Sequence, residues 1–124
     1  MDIFTFKERY KKAKEDFVEL SSFFNENSIL MEINVLKEST YSSNFWDDNK
    51  SATQTLKKIK ILEDEIKLWK DFTYSKEEAE FYFDLLNEDD LIDQEHIASL
   101  NSFLRFIEQI EIMKMLSRKY RDWQ

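Results

Sequence analysis

His96 is the only histidine of this 124-residue chain, with Asp93 three residues before it and Glu95 adjacent. A histidine near carboxylates can ligate a metal or share a proton with an acid. A carboxylate-bridged metal bundle, however, needs inward-facing Glu residues on several helices and usually two His-bearing motifs. One His near a helix start reads instead as an ordinary exposed residue. Asp47-Asp48 and Glu88-Asp89-Asp90 are the paired acids. Acid–base catalysis would require enclosure and substrate room between the carboxylates, whereas helix caps and solvated turns account for both groups. With a single His and no G-x-S-x-G turn, the many Ser and Thr residues form no nucleophilic triad.

The residues that are missing exclude more. The chain has no Gly, no Pro and no Cys, against average usage of about 7% Gly and about 5% Pro. No Gly-rich loop can cradle a phosphate, no dinucleotide or P-loop fingerprint can be written, and no disulfide or thiolate site can form. Catalytic, cofactor-binding and metal-ligating residues are therefore all expected to be none. Lys and Arg number 18 against 26 Asp and Glu, a net charge of −8, which argues against direct sequence-specific nucleic-acid binding. Two local exceptions are basic, Lys7 to Lys14 and Arg118-Lys119-Tyr120-Arg121. Either could touch a phosphate or an acidic partner, but they read first as a solvated helix face and as cations complementing a helix C-terminus. No apolar run approaches the 18 or so residues of a membrane span, and neither a leader nor a disulfide framework is visible. A cytoplasmic protein without membrane contact is expected.

Aromatic residues make up 15% of the chain, eleven of them Phe, which is ample apolar surface to offset chain entropy. Apolar period locates the elements that bury it. Ile3, Phe6, Tyr10, Ala13, Phe17, Leu20 and Phe24 step by threes and fours, a heptad seam on one long helix ending near Asn25 to Asn27. Ser28 can cap a shorter helix carrying Leu30, Met31, Ile33 and Leu36. The small polar run Ser39 to Asn44 favours a turn. Phe45-Trp46-Asp47-Asp48 then reads as a hydrophobic anchor before a helix capped by an Asp or Asn49. That helix carries Ala52, Leu56, Ile59, Leu62, Ile66 and Trp69 on one face. Trp46, Trp69 and the Phe stripes are expected in the core, and Trp123 is less easily placed there.

Ser75-Lys76-Glu77-Glu78 has the S-x-x-E spacing of a capping box, which predicts a fourth, short helix bearing Ala79, Phe83 and Leu86. Asp93 or Gln94 opens a last long helix through Ile97, Leu100, Leu104, Ile107, Ile110 and Met113, widened by Phe103 and Phe106. The long helices, about 23 to 27 residues each, form rods of roughly 35 to 40 Å. Such rods pack best antiparallel. The expected fold is all-α: an antiparallel helical bundle of three long helices with two short helices in the connections, residues 1–124 forming a single helical domain.

Phe45-Trp46-Asp47-Asp48, the Lys-rich helix that follows it to Leu68-Trp69, the acidic interruption from Phe81 to Asp90, and the closing segment Ile110 to Ser117 together resemble the N-terminal helical domain of bacterial peptide chain release factor 2. Arg118 departs from that pattern, standing where the family often has Gly. The resemblance implies a non-catalytic docking domain in translation termination, whose partners are the ribosome near its factor-binding stalk or a class 2 termination factor. Release factors of this class read stop codons with Ser-Pro-Phe and trigger peptidyl-tRNA hydrolysis with Gly-Gly-Gln, and these residues contain neither. The competing reading is a free-standing helical interaction or coiled-coil protein that pairs with itself or another helix through the first seam.

Overall fold

The computed structural model describes residues 1–86 and 91–122, with side chains to residue 116. The described residues are all-α: α1 (Ile3–Ser21), α2 (Glu26–Ser39), one 3-10 turn (Phe45–Asp47), α3 (Asn49–Leu85) and α4 (Gln94–Asp122). The acidic stretch 88–90, the terminal basic run and Trp123 fall outside the described residues or side chains.

Helix α1 starts where Asp2 accepts the Thr5 N–H at 2.6 Å. Its seam is as the spacing predicts, with Phe6, Tyr10, Ala13 and Leu20 buried. It stops at Ser21, sooner than the apolar stepping implies. There the Ser21 and Ser22 hydroxyls donate to the Phe17 and Glu19 carbonyls, the local competition that weakens a helix end. The cap of α2 is Asn25, whose side chain accepts the Ser28 N–H at 2.9 Å, so Ser28 is a capped residue rather than the cap.

The largest correction concerns α3. It runs unbroken for 37 residues, and no separate helix begins at Ser75. Ser75 is buried and its hydroxyl donates to the Phe72 carbonyl one turn back. Capping is not its role, because Ser75 lies on the apolar seam itself. Buried positions step through Ile59, Leu62, Ile66, Trp69, Phe72, Ser75 and Ala79 in threes and fours, and nothing in that stretch breaks a helix. Leu56, expected on this seam, is 42% exposed. The rods are also unequal. Helices α1, α3 and α4 have 19, 37 and 29 residues, or roughly 28, 55 and 43 Å.

The chain divides into two compact units, Met1–Phe23 with Asp71–Gln124, and Phe24–Lys70. In the first, the ring of Tyr10 stacks on Phe83 at 4.4 Å, and Phe17 packs on Phe72 at 4.8 Å and on Phe103 at 6.1 Å. Residue numbers rise along α1 as they fall along α3, so these two segments are antiparallel. Tyr82 against His96 and Phe72 against Phe106 make α3 antiparallel to α4 as well. Phe6, Phe72, Phe103, Leu86, Leu100 and Ile110 are its most completely enclosed large side chains.

The second unit is a helical hairpin of α2 and the first part of α3. Ile33, Leu62 and Ile66 form its core, flanked by Phe24, Ile29 and Leu36. Trp69 is buried against Phe24, the rings stacked at 4.5 Å and 12°. Lys58 pairs with Glu32 at 3.0 Å across the hairpin, an exposed pair that contributes little.

Candidate docking surface

The connection from α2 to α3 is built by side chains that compete for backbone hydrogen bonds. Ser39 and Thr40 donate their hydroxyls to the Leu36 and Lys37 carbonyls at 2.6 Å and close α2. Ser42 bonds the Asn44 side chain, and the Phe45 and Asp47 N–H groups donate to the Ser42 and Asn44 carbonyls at 3.1 Å, winding the 3-10 turn. Asp48 then accepts the Lys50 and Ser51 N–H groups at 3.1 and 3.2 Å and caps α3. The Asp cap expected from the sequence is therefore present, and the Asp48 carboxylate is committed to structure.

Trp46 behaves differently from expectation. It is 61% exposed, its ring edge-on to Phe45 at 5.1 Å, while Phe45 is half-buried. Adjacent side chains on a tight turn diverge, so one of the two aromatics must face outward. Tyr41, in the same connection, is 81% exposed. The outward side of α2 adds Met31 and Val35, 69% and 65% exposed and one turn apart. Trp and Tyr supply large amphipathic contact area at low entropy cost and dominate binding energy at protein interfaces. Exposed aromatic side chains of this kind are suited to macromolecular contact.

His96, read from sequence as exposed, is buried. Its ring Nδ1 lies 2.7 Å from Asp93 Oδ1, and its backbone N–H donates to the same oxygen at 3.0 Å. Phe6 and Tyr82 cover the ring at 6.0 and 5.0 Å. Asp93 is thus the cap of α4, and its hydrogen bonds from His96 hold its carboxyl below the usual aspartate range. The pair is a helix-start clamp. Among the described residues, no group of three His, Asp or Glu side chains could hold a metal ion.

The basic segment of α1 is only partly neutralised. Lys12 pairs with Asp16 at 2.7 Å, whereas Lys7, Arg9, Lys11 and Lys14 form no ion pair among the described residues. An open groove between the ends of α1 and α4 is lined by Asp16, Glu19, Leu20, Glu111, Lys114 and Met115. The Lys114 ammonium there sits over the Phe23 ring at 3.5 Å. No described helix is long and apolar enough to cross a membrane.

Over 116 residues the chain is 28% identical to peptide chain release factor 2 of Petrotoga mobilis, a match covering 94% of this chain and 32% of that protein. It is 25% identical over 123 residues to the chloroplastic peptide chain release factor PrfB1 of Arabidopsis thaliana, covering 96% of this chain and 27% of that protein. The chain therefore spans about a third or less of the curated relatives it matches, and nearly all of it resembles part of release factor 2. No protein-family model matches it, and no solved structure does.

Proposed function

We propose, from this resemblance to release factor 2, that residues 1–124 act as one non-catalytic docking module in translation termination, working in the cytoplasm. Its partner is the ribosome near the factor-binding stalk, or a class 2 termination factor. The observation that carries this reading is the near end-to-end similarity to part of release factor 2 in a segment without Gly or Pro. Such a segment holds neither a Ser-Pro-Phe codon reader nor a Gly-Gly-Gln hydrolysis loop. What remains for it is contact, and the exposed Tyr41, Trp46, Met31 and Val35 supply a surface of the right composition.

Cosedimentation with purified ribosomes at moderate salt tests the proposal. The wild-type chain is expected in the ribosomal pellet, and the double variant Tyr41→Ala, Trp46→Ala is expected to stay in the supernatant. Failure of the wild type to pellet with or without a class 2 factor would overturn the reading.

A further inference from the structure

In the unit Met1–Phe23 with Asp71–Gln124, two lines of opposite charge run side by side. Lys7, Lys11 and Lys14 follow one another at steps of four and three along α1, which places them on one stripe of the helix. Glu77, Glu80 and Asp84 do the same along α3 at steps of three and four. Both stripes border the groove between these helices. Lys76, one residue from Glu77, holds its ammonium over Phe17 of α1 at 5.7 Å, and Tyr10 stacks on Phe83, one residue from Asp84. The field of Lys14 reaches Glu80 and helps lower its carboxyl pKa, behind the hydrogen bond from Lys76. The result is one face with a basic ridge on α1 and an acidic ridge on α3.

Among the described residues, Glu80 is the one ridge residue already committed within the chain. Lys76 takes Glu80 at 2.9 Å, but Lys7, Lys11, Lys14, Glu77 and Asp84 form no ion pair among the described residues. Large apolar side chains extend the same face. Val18 is 62%, Tyr74 67% and Phe81 59% exposed.

The levels of the two ridges correspond. Because Tyr10 meets Phe83 and Phe17 meets Phe72, Lys7 stands level with Asp84, Lys11 with Glu80 and Phe81, Lys14 with Glu77, and Val18 with Tyr74. A two-fold axis parallel to the helices keeps every level and lays α1 of one copy on α3 of the other. Lys7 then faces the partner's Asp84, Lys14 faces the partner's Glu77, and Lys11 faces the partner's Phe81 as a cation over a ring. Each contact occurs twice, as an isologous interface requires. A two-fold axis across the helices would set lysines on lysines and is repelled. We infer that this face, the Lys7–Lys11–Lys14 ridge of α1 beside the Glu77–Glu80–Asp84 ridge of α3, docks on the same face of a second copy of the chain. Charge complementarity of this kind fixes register and orientation more than raw affinity. It uses other residues than Tyr41 and Trp46, so the pairing and the ribosome reading can fail independently.

Sedimentation equilibrium on the full chain with charge-swapped variants decides it. The wild type is expected to pass from monomer to dimer with rising concentration, less readily at high salt. A triple variant, Lys7→Glu, Lys11→Glu, Lys14→Glu, and a double variant, Glu77→Lys, Asp84→Lys, are each expected to remain monomeric with unchanged helicity, and their equimolar mixture to dimerise. A wild type monomeric at every concentration, variants that dimerise as it does, or a mixture that stays monomeric would each overturn the inference. Should a swap disturb folding, the absence of native cysteine supplies a gentler readout. Chains carrying Lys14→Cys and Glu77→Cys, mixed and oxidised, should form the mixed disulfide in excess over random pairing, and random pairing would equally overturn it.

Discussion

The Asp93 carboxylate makes two hydrogen bonds with His96, accepting its backbone N–H at 3.0 Å and sharing a second bond with ring Nδ1 at 2.7 Å. The first caps α4. The second orients a buried imidazole against Phe6 and Tyr82, so one acid on the chain's surface sets both the start of a helix and the placement of a ring in the core.

Its ionised form is what makes both bonds. The Asp93 pKa is lowered, chiefly by the His96 side-chain hydrogen bond and then by the backbone one. A carboxyl with a depressed folded pKa contributes stability that is present above its unfolded value and is lost as pH falls through the folded one. Asp93→Asn keeps a capping side chain and removes the charge. Melting temperature followed across acid pH should therefore fall less steeply in the variant than in the wild type, and identical profiles would refute the assignment.

Glu65 has the opposite sign. It is half-buried, and burial, then the nearby Glu32 carboxylate, raise its pKa. The native state holds this proton more tightly than the unfolded one, so stability falls as pH rises from the ordinary glutamate range to the raised value. Glu65→Gln should raise the melting temperature at neutral pH, with the gain shrinking as pH is lowered. Calorimetry of the two proteins checks it, and a neutral-pH loss would contradict it.

The continuity of α3 makes a sharp contrast at Ser75. A residue at a helix N-terminus costs about 1 kcal/mol when its capping side chain is removed, and a proline is tolerated beside it. A mid-helix serine loses almost nothing on change to Ala, while Pro there costs about 3 kcal/mol or more. Ser75→Ala is expected to be neutral to slightly stabilising in urea denaturation and Ser75→Pro severely destabilising. The reverse order would restore a helix break.

Two tryptophans of one hairpin should respond differently to truncation. Trp69→Ala empties a buried site stacked on Phe24 and is expected to cost about 3 to 5 kcal/mol. Trp46→Ala removes an exposed ring and should change stability by no more than about 0.5 kcal/mol, while weakening the proposed ribosome association. Denaturation midpoints measure the first contrast and cosedimentation the second.

The places where the sequence read true and where it misled have physical causes. The α1 seam was legible because Phe6, Tyr10, Ala13 and Leu20 all sit on one face of one helix. The cap of α3 was legible to within a residue, as an Asp or Asn49, because capping is a local interaction. Ser75 was not, since S-x-x-E also occurs inside helices and only its place on the seam, three residues after Phe72, separates the two meanings. Trp46 was misplaced because residue type predicts burial while a tight turn lets only one of two adjacent aromatics turn inward. The burial of His96 depends on Phe6 and Tyr82, distant in sequence, and no short window could carry it. The unequal rods follow from the continuity of α3 and from the early stop of α1 at Ser21.

The most direct test of the docking account is a peptide-release assay on ribosomes stalled at a stop codon, with and without an intact release factor 2. This chain alone is expected to release no peptide and, added in excess, to slow release by the intact factor, with the Tyr41→Ala, Trp46→Ala variant failing to do so. Peptide release by the chain alone, or no slowing at any concentration, would contradict it.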